Sequence, residues 1–182
     1  MIISDKQKAQ IAEKVHEYAF VDTKAVPFMQ YVVEACEKNY CGMYGKTWQC
    51  PPGVGDPKTL KEKCLAFTTA LVFTTRHALE DSFDIDGMNA GREVHEKITD
   101  EVLSLFDGEE TRALSAEGCR LCKECTYPTA PCRFPDKARP SVESNGISVV
   151  DLAKICSVHY HNGANTVTYF SLIAFNEGDN LK

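Results

Sequence analysis

Four cysteines in a short run, Cys119-x2-Cys122-x2-Cys125-x6-Cys132, constrain this chain more than any other feature, because thiols so close together can surround one metal centre. The C-x2-C-x2-C core presents three thiolates to one iron-sulfur cube. A zinc knuckle more often pairs one C-x2-C with a distant second pair, so the third closely spaced thiol favours iron over zinc. A disulfide-stapled loop is the remaining reading, and it needs an oxidising compartment. The N-terminal residues carry charges and no apolar run of signal length, so the sequence predicts a chain kept in a reducing cytoplasm. There, nine cysteines read better as metal ligands than as disulfides, and an odd number leaves at least one thiol unpaired.

At 182 residues the chain has the size of a single domain, 1–182, able to bury a core without a metal staple. No apolar stretch approaches the ~20 residues of a membrane span. With 26 acidic against 20 basic residues and a formal charge of -6, nothing suggests a nucleic-acid surface. No repeat or low-complexity segment appears. The composition shifts only in two regions rich in cysteine, proline and glycine, 36–57 and 118–140.

Regular elements are expected around those regions. Ser4 with Gln7 reads as a capping box, followed at helical spacing by Ile11, Val15, Tyr18 and Ala19. Pro27 reads as the start of a second helix, with Phe28, Tyr31, Val32 and Ala35 on one face and Cys36 at its end. Residues 66–75 read as a buried strand. Val94, Ile98, Val102 and Leu105 mark a third helix, 89–106, ending at Asp107-Gly108, and Arg112 to Ala116 a short strand. If those two strands are parallel neighbours, the crossover is right-handed and leaves the cysteine loop beyond a strand's carboxyl end. Ser148 to Ser157 reads as a fourth helix with Leu152, Ala153 and Ile155 inside, and 166–175 as a last apolar strand. The expected fold class is α/β or mixed α+β, a small central sheet flanked by helices and carrying two cysteine-rich metal-binding loops.

The second chemical region holds Cys36, Cys41 and Cys50, the last followed by Pro51-Pro52, with Gly42 and Gly45 free to take positive φ. In two-cluster ferredoxins a cysteine before proline ligates the opposite cluster, so Cys50 can close either site.

Together these motifs resemble a family of proteins described as predicted metal-binding proteins (domain of unknown function 2284), common in anaerobic bacteria and archaea. The resemblance covers most of the chain. It rests on Tyr44-Gly45, Trp48, Cys50-Pro51-Pro52, the Cys119 to Cys132 cluster, Arg139-Pro140-Ser141, Glu143 and Gly146-Ile147. The family's pattern has proline directly after the thiol matching Cys41, where this chain has Gly42, which implies a different local turn. The family description implies metal binding and supplies no reaction.

Other residues admit two readings. Trp48 and Tyr44 either shield a cluster from water or simply pack. Arg120, Lys123, Arg133, Lys137 and Arg139 either offset the negative charge of bound thiolates or are solvated surface charge. His159 and His161 either share a strand face as ligands or lead into the Asn162-Gly163 turn, which that dipeptide favours. Cys64 and Cys156 read as small buried side chains. Phosphate-binding glycine loops of dinucleotide or P-loop type are absent, since Gly53-Val-Gly55 is followed by Asp56-Pro57.

The expected cofactor is one 4Fe-4S cluster on Cys119, Cys122, Cys125 and Cys132. A second site on Cys36, Cys41 and Cys50 is possible, its fourth position left to Cys64, Cys156, His159 or an outside molecule, and an open iron there makes the chain an enzyme. The expected role is electron transfer with a redox partner protein or small molecule. The alternative is a zinc-bearing structural or interaction module.

Overall fold

The computed structural model describes residues 2–178. The capping box is formed: Gln7 N–H donates to Ser4 Oγ at 3.2 Å and Ser4 N–H to Gln7 Oε1 at 3.0 Å, starting helix α1 (Asp5–Lys14). The helix does not continue through Tyr18 and Ala19. Val15 is extended, and the chain enters strand β1 (Glu17–Asp22). Pro27 does not start α2 (Gln30–Glu37) either; it lies outside the helix, while Phe28 bridges to Ile147. Of the residues expected on its inner face only Val32 is buried within the helix.

Helix α3 (Pro57–Leu65) has the Asp56 side chain accepting from Thr59 N–H, with proline in its first turn. Strand β2 spans Thr69–Ala78, three residues later than expected at each end. Helix α4 (Ile85–Ser104) stops before Gly108, whose φ is +85°. Strand β3 (Thr111–Leu114), helix α5 (Val149–Cys156, capped by Ser148) and strand β4 (Thr166–Phe175) complete the chain. On α5, Leu152 and Ala153 are buried as expected, but Ile155 is exposed.

The fold is mixed α/β, with a four-stranded sheet ordered β1-β2-β4-β3 in which every neighbouring pair is antiparallel. The expected β2–α4–β3 unit therefore exists with a difference: β4 lies between its two strands, so they do not pair. Both faces of the sheet are covered. Ala70, Val72, Leu172 and Ala174 pack with Cys64 of α3 and with Leu152, Ala153 and Cys156 of α5. Leu71, Phe73, Ile173 and Phe175 pack with Ile11 of α1 and Val102 of α4. Strands buried on both faces read as continuous apolar runs, which is why β2 and β4 are conspicuous in the sequence.

A polar seam runs through this core. His95 of α4 is fully buried, its Nδ1 2.8 Å from Thr75 Oγ1 and its Nε2 2.8 Å from Ser171 Oγ. Ser171 also contacts Thr99 Oγ1 at 3.0 Å and donates to Ser115 Oγ at 3.3 Å, and Ser115 donates to Glu96 Oε1 at 2.6 Å. Burial first, then the positive charge of His77, Arg92 and Arg139, hold the ring well below its ordinary 6.5, at about 3, with a Phe170 backbone hydrogen bond opposing. Two hydroxyl partners satisfy the neutral ring. Unfolding frees it to protonate at its ordinary value, so its contribution is present above pH 6.5 and is lost progressively as pH falls toward 3. Denaturant unfolding between pH 7 and pH 4 should therefore show a smaller loss of stability on acidification in His95→Gln than in the wild type; equal slopes would contradict this assignment.

Candidate metal centre

Both cysteine regions meet beyond the end of β3. Ser115 N–H donates to Pro140 O at 3.0 Å and Val142 N–H to Ser115 O at 2.9 Å, tying the segment that leaves the loop to the strand that enters it. Arg92, buried on α4, donates to Gly118 O at 2.7 Å and to Ala116 O at 3.4 Å. The loop's first residues are thus anchored to the core. The turn Glu143–Asn145 then ends at Gly146, where φ of +74° lets the chain reverse into Ile147 and α5.

Cys119, Cys122, Cys125 and Cys132, all half-buried, border one small cavity of about 20 Å³ with Thr47 and Trp48. Burial pushes the Cys119 thiol up, the Leu121 N–H opposes this, and the charges of Cys132, Cys125 and Cys122 raise it further. Four thiolates in mutual range repel one another, and a cation between them reverses that balance.

Cys36, Cys41 and Cys50 border a second, larger cavity of about 410 Å³ together with Tyr44, Glu117 and Glu143. Cys36 stands in the last turn of α2, as expected, and its Sγ donates to Glu143 O at 3.9 Å. Burial, then the charges of Cys41, Glu143, Cys50 and Glu37, push its thiol up to about 11. Glu143 borders the cavity and is exposed to solvent, yet crowding by the surrounding protein atoms raises its carboxyl above the ordinary value.

The two groups are not separate. Cys50 is buried; burial raises its thiol, while the Thr47 side chain and the Cys119 backbone N–H oppose this by favouring the thiolate. Thr47 Oγ1 lies buried without a partner of normal hydrogen-bond geometry among the described residues, although it too is near enough to favour the Cys50 thiolate. Gly118 makes the approach possible: a Cβ there would stand 2.6 Å from Met43 Cε and 3.3 Å from Cys50 Sγ. The orphaned Thr47 hydroxyl and the backbone N–H of Cys119, both favouring the Cys50 thiolate, suit anionic sulfur, so the chemistry of the donor set fits a thiolate-bound metal centre. Among the described residues, no group of three or more His, Cys, Asp or Glu is arranged to hold a single metal ion.

Gly42 and Gly45 take the expected positive φ, +73° and +68°. At +73° proline cannot stand, since its ring fixes φ near -65°. The turn after Cys41 accordingly differs from one built on a Cys-Pro pair.

Trp48 borders the Cys119 cavity, donates to Ala130 O at 2.9 Å and packs edge-on against Tyr127 at 4.9 Å. Of the nearby basic residues, Arg139 is held by Glu96 at 2.8 Å and Asp100 at 2.6 Å on α4, a structural role. Arg120 pairs with Glu117 at 3.1 Å, and Arg133 donates to Glu124 O at 2.8 Å. Lys123 borders an open surface hollow beside Cys122. His159 bonds Glu17 at 2.8 Å and His161 packs on Tyr160, while Cys64 and Cys156 sit in the apolar core. None of these four borders the cavity of Cys36, Cys41 and Cys50. Glu143 belongs to the motif that carries the family resemblance, whereas Glu117 and the His95 seam leave no spacing signal in the sequence. All nine cysteines are free thiols.

The fold and its two thiol groups define a cysteine-rich mixed α/β protein. The chain belongs to the family described as predicted metal-binding protein (DUF2284), whose profile matches residues 19–175. No curated protein and no solved structure matches it. Among the described residues, no helix is long and apolar enough to cross a membrane.

Proposed function

We propose that Cys119, Cys122, Cys125 and Cys132 hold one 4Fe-4S cluster and that the protein is an electron carrier or redox accessory working in a reducing cytoplasm. The observation that carries this reading is the gathering of all four thiols around one cavity, with each of the other three raising the Cys119 thiol. Such a cluster, when bound, supplies single-electron transfer. The protein's own part is to fix the loop through Arg92, screen it with Trp48 and set the hydrogen bonding and burial at sulfur. Because the cavity is only about 20 Å³, the irregular loop 118–140 must widen to admit a four-iron cube. The partner is a redox protein or small molecule, without nucleic acid or membrane; the charge of -6 supports the former exclusion. Anaerobically purified protein should be brown with broad visible absorption, and a colourless zinc protein would overturn the proposal.

Cys36, Cys41 and Cys50 form a second site with three protein thiolates, on this reading, and an open position toward their larger cavity. Its support is the shared wall of that cavity and its volume of about 410 Å³. Total iron should then be near eight per chain, by the arithmetic of two four-iron cubes. Iron near four would assign these thiols to other duty.

A further inference from the structure

On another part of the surface, a cleft of about 700 Å³ lies between α3, β3 and the segment around Arg139. Arg112 of β3 borders it in an unusual state. Its Nη2 donates to Asn145 Oδ1 at 2.7 Å, and its Nε is buried with no hydrogen-bond partner among the described residues. Nor, among the described residues, does any carboxylate form an ion pair with it. Arg139, on the same cleft, shares the buried Nε without a partner among the described residues but differs in charge, because Glu96 and Asp100 neutralise it.

A half-buried guanidinium without a counter-charge is costly in an isolated protein, and burial does push Arg112 below its ordinary value. The guanidinium is also the side chain whose donor geometry best matches carboxylate and phosphate oxygens. Lys63 brings a second cation to the cleft from α3, while Leu60, Phe67 and Trp48 give it apolar wall. Glu110 and Asp136 border it as well, which confines an anionic group to the neighbourhood of Arg112 and Lys63.

We infer that this cleft binds a small ligand bearing an oxyanion, a phosphate ester or a carboxylate, with the charged group at Arg112 and Lys63 and an apolar body against Phe67 and Trp48. Trp48 also borders the cavity of Cys119, Cys122, Cys125 and Cys132, so the ligand lies one side chain from the thiols. The inference does not depend on which metal those thiols hold.

The test is calorimetric titration of the anaerobically purified full chain with inorganic phosphate and, separately, with benzoate, at ionic strength held constant with sodium chloride. Fluorescence of Trp48, the only tryptophan, gives a second readout. At least one probe should bind saturably, phosphate alone indicating a phosphate ester and benzoate alone a carboxylate. Arg112→Gln should weaken that binding by at least about tenfold, the effect of losing one charge-assisted pair. Should Arg112→Gln fail to fold, Lys63→Glu on the exposed rim should still weaken it. Metal content measured on the same samples should be unchanged, which separates failure of the cleft from failure of the cluster assignment. Absence of saturable binding by both probes, or wild-type binding in both variants, would overturn the inference.

Discussion

Replacing Cys122 with alanine should remove about four irons per chain, the content of one cube, while leaving any iron on Cys36, Cys41 and Cys50 in place. Cys122 is half-buried on an irregular loop and belongs to neither apolar cluster, so the substitution leaves the core intact. The six residues between Cys125 and Cys132 make a longer span than the three of a bacterial ferredoxin, which lets Cys132 return to the same cube. Metal analysis with circular dichroism on the same sample separates loss of iron from loss of fold. Unchanged iron with a native spectrum would remove Cys122 from the ligand set.

Anaerobic chelation should leave most of the helix and sheet in place. The two apolar clusters draw on β2, β4, α1, α3, α4 and α5, and neither contains a residue of the Cys119 loop. Metal binding free energy is therefore not the folding free energy, unlike the case of a zinc finger. Circular dichroism should keep its helical signal, and limited proteolysis should gain cuts confined to about 36–57 and 118–140, the segments that lose their central support. Global collapse on chelation would instead mark a structural metal module.

Much of this architecture was legible because its strongest signals are local. Ser4 and Gln7 make the capping box they spell, and Ser148 caps α5. The central strands announce themselves as apolar runs because both faces are covered. What was missed follows from competition between signals. Tyr18 and Ala19 continue the helical spacing of Ile11 and Val15, yet pairing with Phe73 and Val72 in the sheet decides their conformation. Asp56-Pro57, read as part of a loop, is the cap and first turn of α3.

Helix α4 is the most instructive case. The apolar stripe Val94, Ile98, Val102 and Leu105 pointed to one face, but the buried stripe is Gly91, Arg92, His95, Thr99 and Val102. Polar residues can occupy a core when every partner is supplied, and those partners, Thr75, Ser115 and Ser171, come from three different strands or their ends. No one-dimensional pattern contains that information. The same holds for the site. Spacing alone grouped Cys119, Cys122, Cys125 and Cys132, whereas the approach of Cys50 to Cys119 across Gly118 depends on how two loops pack.

The central claim, an iron-sulfur centre on Cys119, Cys122, Cys125 and Cys132, is tested most directly by iron and acid-labile sulfide analysis of anaerobically purified protein. The account predicts iron and sulfide in equal amounts, about four per chain from this loop and about eight if both thiol groups are filled. Stoichiometric zinc without sulfide would contradict it.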